Sequence, residues 1–241
     1  MKQIKGILFD FNGTLFFDSD LHIKAFQRRF PMFGAPKPSK EYLIENVFGR
    51  TNTKICRDNI NKNATDEETV DFGRKKEAIY YELCLANKER FKLVDGAEEF
   101  LDYLKTEGIP FTIATGSDRE AVDFFFEHLG LDRWFDIDKM IYADGSFNGK
   151  PDPECYILAA EKIGLSASDC LIFEDGTSGI MSANAANAKG VIAVYDEGIP
   201  SPLREGLTVD SVHHDLKAWR EILSQYEIKT NYTKLLTERK E

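Results

Sequence analysis

Short apolar runs, several rich in β-branched residues, recur along the chain: Ile4 to Asp10 (IKGILFD), Pro110 to Thr115 (PFTIAT), Met140 to Ala143, Cys170 to Phe173 (CLIF) and Val191 to Tyr195 (VIAVY). Their length and flanking turn residues predict buried strands. Between them the apolar period changes. Ala97, Phe100, Leu101 and Leu104 fall at i, i+3, i+4 and i+7, and Val122, Phe125, Phe126 and Leu129 repeat that spacing, which is one face of a helix. Ser117 to Glu120 has the S-x-x-E form of a capping box, and Asp152-Pro153 offers an N-cap followed by proline at the first helical position. Strands alternating with such helices predict right-handed crossovers and an α/β fold, a doubly wound parallel sheet covered on both faces. In that architecture ligands sit beyond the carboxyl ends of the strands.

The segment 17–90 breaks the alternation. It has no convincing strand and several helical stretches, including Leu21 to Phe33 and a run opened by the capping box Thr65 to Glu68. It reads as a small helical domain inserted after the first strand, leaving 1–16 and 91–226 as the core. Residues 227–241 turn polar and mixed in charge (IKTNYTKLLTERKE from Ile228) and read as a C-terminal tail or terminal helix without chemistry.

Composition narrows the functional classes. With 42% hydrophobic and 30% charged residues the 241-residue chain is an ordinary globular sequence. A formal net charge of -10 argues against nucleic acid or an anionic membrane as partner. It leaves room for a small anion at a locally positive site. No stretch approaches the ~18 apolar residues of a membrane span, and the N-terminus lacks the apolar core of a signal peptide. Cys56, Cys84, Cys155 and Cys170 are scattered without a C-x-x-C pair, so they read as reduced, partly buried thiols of a cytoplasmic protein. We expect a monomer.

The candidate chemistry lies at strand ends. The first strand delivers Asp10, with Gly13 and Thr14 in a turn whose amides can cradle an oxyanion. The second delivers Thr115, Gly116 and Ser117 directly before a helix N-terminus, a place that favours phosphate. Gly149-Lys150-Pro151 puts a fixed cation before another helix. The fourth ends in adjacent carboxylates, Glu174 and Asp175, followed by Gly176-Thr177-Ser178-Gly179. The stripe Phe124 to Phe126 reads as core by its period, and His128, His213 and His214 as surface residues.

The set DFNGTL (10–15), IATGS (113–117), GKPDPE (149–154) and FEDGTSGI (173–180) resembles the four motifs of the haloacid dehalogenase superfamily, in the subgroup of beta-phosphoglucomutase and many small-molecule phosphatases. Each peptide alone is weak; four in the family's order are specific, and the resemblance runs to about Tyr226. The helical insertion is similar to that subgroup's cap domain, and DSDLH (18–22) to its D-S-x-x-x-H run with one residue fewer. The resemblance implies a Rossmann-like core with a cap that closes over the site. It also implies that Asp10 attacks phosphorus to form an aspartyl-phosphate. Thr115, the Gly116 amide and Ser117 would lie at the phosphoryl site, and Lys150 would neutralise the phosphoryl oxygens and pair with Asp10. Mg2+ would be held by Asp10, the Asn12 carbonyl, Glu174 and Asp175. His22 and Arg50, beside Gly49, would meet the rest of a small phosphorylated substrate, such as a sugar phosphate. An all-oxygen, carboxylate-rich set suits a hard cation and not zinc.

Asn12 departs from the pattern, since the family's phosphatases and mutases carry aspartate there as general acid and base. An amide cannot transfer that proton. Three readings follow: a phosphatase or phosphomutase, a phosphonate hydrolase with Lys54 as Schiff base, or a phosphate-binding protein that has lost turnover.

Overall fold

The computed structural model describes residues 1–48 and 50–229. Two compact units divide the chain: Met1–Phe17 joined by the chain from Leu93 onward, and Asp18–Lys92. The first is built on strands β1 (Lys2–Ile4), β2 (Gly6–Phe9), β3 (Phe111–Ile113), β4 (Cys170–Glu174), β5 (Gly190–Val194), β6 (Ser211–His213) and β7 (Tyr226–Ile228). Helices α1 (Ser19–Met32), α2 (Lys40–Asn46), α3 (Asn52–Asn59) and α4 (Asp66–Ala86) make the second unit. Helices α5 (Ala97–Thr106), α6 (Arg119–Leu129), α7 (Glu154–Lys162), α8 (Thr177–Ala185) and α9 (Trp219–Ser224) return to the first.

Five strands form one parallel sheet in the order β3-β2-β4-β5-β6. The three central strands are buried at every position, which is why they read as near-continuous apolar runs. Alternate side chains feed opposite faces. Leu8, Ile172, Val191 and Ala193 pack with Tyr156 and Ala159 of α7 and Ile180 and Ala183 of α8. On the other face Phe9 stacks on Phe173 at 5.1 Å, and both meet Phe100 of α5, which stacks on Trp219 of α9 at 5.3 Å. Helices thus cover both faces, as the alternation of strand and helix requires. Each large ring so buried contributes roughly 1.5–3 kcal/mol.

The first predicted strand is split. The amide of Lys5 turns away to the Asp169 carbonyl at 2.8 Å, and β1 leaves the main sheet to pair in parallel with β7. Strand β7 uses residues 227 and 228, which the polarity of the sequence assigns to a tail. Its start is anchored by the Tyr226 hydroxyl, which donates to Asp210 at 2.5 Å. Gly49 and the tail 230–241 lie outside the described residues. The run Met140 to Ala143 gives only a single bridge, Ile141 to Ala114, rather than a strand. The capping box at Thr65 forms as predicted. At α6 the cap is Asp118, accepting from the Ala121 amide at 3.0 Å, and not Ser117. At α7, which begins at Glu154, Asp152 accepts from the Glu154 amide at 3.0 Å.

The helical unit has its own core. Ile23, Phe26 and Phe30 of α1 pack with Leu43, Val47, Ile55, Cys56 and Phe72. Among the described residues no helix is long and apolar enough to cross a membrane.

All four cysteines are free and buried. Burial pushes the Cys84 and Cys170 thiols up to about 12. A raised thiol pKa depresses the thiolate, the reactive form, to a fraction on the order of 10⁻⁴ at pH 8. We expect none of the four to react with a thiol-specific disulfide reagent in the native protein at that pH, and all four to react in denaturant. A native thiol titrating at the rate of free cysteine would contradict this packing.

Candidate active site

Register sets the site. Phe9 of β2 is opposite both Ile113 of β3 and Phe173 of β4, so Asp10, Ala114 and Glu174 stand level at one sheet edge. Backbone bonds extend that alignment, with Asp10 N–H donating to Phe173 O at 2.9 Å and Ala114 N–H to Phe9 O at 2.8 Å. Asp10 is 6% exposed and Glu174 1%.

Two buried carboxylates at this separation repel unless a cation intervenes. Lys150 is that cation. Its Nζ donates to Asp10 Oδ1 at 2.5 Å, to Glu174 Oε1 at 2.6 Å and to the Ala114 carbonyl at 3.1 Å, so all three ammonium protons are used. Burial alone would lower the Lys150 pKa, but Asp10 and Glu174 hold it above the ordinary lysine value.

Glu174 is engaged on both oxygens. Oε1 accepts from Lys150 and from the Tyr156 hydroxyl at 2.6 Å, and Oε2 accepts from the amides of Asp175 at 2.9 Å and Gly176 at 3.0 Å. Its carboxylate lies on the first turn of α8, where a methyl group on Gly179 would stand 1.8 Å from Oε1. Only glycine fits there. Gly13 is constrained twice, by a φ of +86° and by Asp175, whose Oδ2 would lie 2.0 Å from an added Cβ. Asp175 therefore packs directly on the loop that carries Asp10.

Asn12 follows in that loop. Its Oδ1 accepts from the Ser117 hydroxyl at 2.7 Å. The Gly13 amide donates to the Phe16 carbonyl at 2.7 Å, closing the turn. Ser117, freed from capping, thus holds the side chain at the position where the family carries its second aspartate. Thr115 is 3% exposed and its Oγ1 accepts from the Ser117 amide at 3.1 Å. Gly116 has open space around it.

Seven of the predicted residues, Asp10, Asn12, Thr115, Ser117, Lys150, Glu174 and Asp175, are gathered in this way, with Gly116 between Thr115 and Ser117. His22 and Arg50 belong to the helical unit. His22 on α1 places Nε2 3.2 Å from Asp18 and Nδ1 2.8 Å from Lys76 Nζ, and stacks on Tyr80 at 4.1 Å. Tyr80 in turn donates to Asp18 at 2.5 Å. Arg50 and Lys54 both pair with Asp58, at 3.6 and 2.9 Å.

Sequence reasoning missed Tyr156 and Lys76. Tyr156 is hidden in an apolar helix face, and no pattern signals its hydroxyl. Lys76 sits on α4 among charged neighbours and is only 3% exposed, with its charge met by Glu77 at 2.9 Å and by the ring faces of Phe26 and Tyr80.

The donor set has the chemistry for a hard divalent cation. Asp10 and Glu174 share one ammonium, Asp175 packs on the same loop, and the donors gathered here are carboxylate and carbonyl oxygens. Among the described residues no three His, Cys, Asp or Glu side chains already converge at ligand spacing. Lys150 occupies the ground between Asp10 and Glu174. Asp10, Asp175 and the Asn12 carbonyl are the groups that would bind directly, and Glu174, with both oxygens committed, would act from behind them.

Known proteins resemble this chain in sequence and in fold. A family model described as haloacid dehalogenase-like hydrolase matches residues 4–187. A phosphorylated carbohydrates phosphatase of Thermotoga maritima is 28% identical over 208 residues, covering 84% of this chain and 88% of the relative. A fructose-1-phosphate phosphatase of Escherichia coli is 27% identical over 190 residues, covering 79% of this chain and 96% of the relative. Among solved structures, a family IA, variant 3 hydrolase from Entamoeba histolytica is 37% identical with a TM-score of 0.79, covering 88% of this chain and 93% of that one. A beta-phosphoglucomutase from Clostridium difficile shares the fold, with a TM-score of 0.74 at 21% identity, over 92% of this chain and 97% of that one. Motif order, sheet topology and family match lead to one statement: this chain is an enzyme of the haloacid dehalogenase-like hydrolases.

Proposed function

We propose that the chain transfers the phosphoryl group of a small phosphorylated sugar or similar metabolite, as a phosphatase or phosphomutase, with Asp10 as nucleophile and Mg2+ as cofactor. The observation that carries this is Lys150 clamped between Asp10 and Glu174, because it fixes Asp10 while placing a positive charge where a phosphoryl group would sit. Relatives named as phosphatases of phosphorylated carbohydrates and of fructose-1-phosphate support the substrate class.

In this reading an Asp10 oxygen attacks phosphorus as the bond to the leaving oxygen breaks. Thr115 and the Gly116 amide bind the phosphoryl oxygens, and Lys150 balances their charge. Mg2+, when bound, supplies further neutralisation of that charge. Water, or a hydroxyl of a second sugar, then takes the phosphoryl group and releases Asp10. Asn12 holds the position of the proton donor but has no proton to give up, so the leaving oxygen draws its proton from water. The phosphonate reading is not favoured: the Lys54 ammonium is engaged in an ion pair with Asp58 at 2.9 Å.

A screen of phosphorylated sugars with Mg2+ tests the proposal, and silence across such a panel would count against it. Asp175→Ala should cut turnover by about 10²-fold or more, as expected when several kcal/mol of charge stabilisation are lost. Full activity of the parent protein in excess chelator would remove the cofactor assignment.

Asn12→Asp should raise kcat for unactivated esters by roughly 10² to 10⁴, the worth of a positioned acid-base group. Aryl phosphates, whose oxygen departs without a proton, should gain less in the first step. An unchanged kcat would mean that another group supplies the proton.

Asn-Gly is the sequence most open to deamidation, which begins with attack of the glycine nitrogen on the asparagine side chain. Here that nitrogen is held on the Phe16 carbonyl and the side chain on Ser117. Peptide mass analysis after incubation at mildly alkaline pH should therefore show slower conversion of Asn12 in the folded protein than in urea. Equal rates would show that the turn does not protect it.

A further inference from the structure

The geometry points to Tyr156 as a positioning residue, whose hydroxyl fixes Glu174 so that Lys150 is shared with Asp10 and the carboxylates are kept set for a divalent cation. The inference rests on the function proposed above. Tyr156 is fully buried on α7, six residues after Lys150, and its hydroxyl donates to Glu174 Oε1 at 2.6 Å. Its ring does a second task, since Lys150 Nζ stands 4.8 Å from the ring centre.

The two contacts act together. Glu174 Oε2 is committed to two backbone amides, which fix that end of the carboxylate. Oε1 has only side-chain donors, Lys150 and Tyr156. Without the hydroxyl, Lys150 alone of these two donors remains on Oε1. The ammonium then leans toward Glu174 and away from Asp10, and the rotation of Glu174 about its last bond is less restricted. Partners that hold a metal site's carboxylates from behind typically change metal affinity by about 10 to 100-fold when removed.

The test is Tyr156→Phe, which keeps the ring over Lys150 and the packing on Ala159 and Ala160. Calorimetric titration of the full-length protein with Mg2+ should show about tenfold weaker binding, and the Mg2+ concentration for half-maximal activity should rise by a similar factor. The side-chain ammonium signal of Lys150 in nitrogen-proton spectra, recorded without metal, should move. A purely structural role would lower the melting temperature and leave metal affinity and the Lys150 signal unchanged, and that result overturns the inference. Glu174→Gln examines the same contact from its other end, and serves if the phenylalanine variant does not fold: the two substitutions combined should weaken Mg2+ binding no further than Glu174→Gln alone. Additive losses would show that the hydroxyl does not act through Glu174. Should the parent protein bind no Mg2+, the proposed function fails, and the Lys150 signal decides the role of Tyr156 by itself.

Discussion

The site depends on one buried ammonium. Asp10 and Glu174 end neighbouring strands at the same level, and the parallel register leaves no freedom to separate them. Two carboxylates so placed and shielded from water would repel and be driven apart. Lys150 prevents this by donating to both, with its third proton on the Ala114 carbonyl. Because every donor is used, the ammonium has a fixed position as well as a fixed charge. Removing one member of such a buried pair typically costs about 3–5 kcal/mol, mostly because the other charge is left uncompensated.

The fold exists around that constraint as much as beneath it. Main-chain groups carry the parts that must not move: the Phe173 carbonyl takes the Asp10 amide, and the amides of Asp175 and Gly176 hold one end of Glu174. Gly13 and Gly179 matter for the space they leave, since each is filled by a carboxylate that a Cβ would displace. A phosphoryl-transfer site needs placement more than covalent novelty, and backbone hydrogen bonds supply placement without side-chain entropy.

Much of this was legible in the sequence, for identifiable reasons. The strand ends could be read because buried parallel strands are apolar throughout and stop at charged residues, as FD at 9–10 and FED at 173–175 do. What escaped was non-local. The break at Lys5 follows from pairing with a strand more than two hundred residues away, and a run such as IKGILFD carries no mark of it. Ser117 looks like a cap by spacing, yet Asp118 beside it takes that role and Ser117 turns to Asn12, 105 residues distant. Tyr156 counts as one more apolar residue on a helix face until its hydroxyl is seen on Glu174. Lys76 reads as a solvated charge and is instead enclosed by aromatic rings.

Asn12 lies on the same loop, between Asp10 and the turn at Gly13. An amide with no fixed partner at this position would be free to turn outward. Instead the side chain is held by Ser117, and the turn is closed by Phe16. Asp10, Lys150 and the strand end at Thr115 are held by contacts that do not involve the Asn12 side chain. Replacing a carboxyl by an amide here removes one proton from the chemistry and little from the architecture. On the proposed function, substitution at this position would separate the binding of a phosphate ester from the protonation of its leaving oxygen. On the function proposed above, a site of this kind would retain the electrostatic part of catalysis and be slow only where a proton must move.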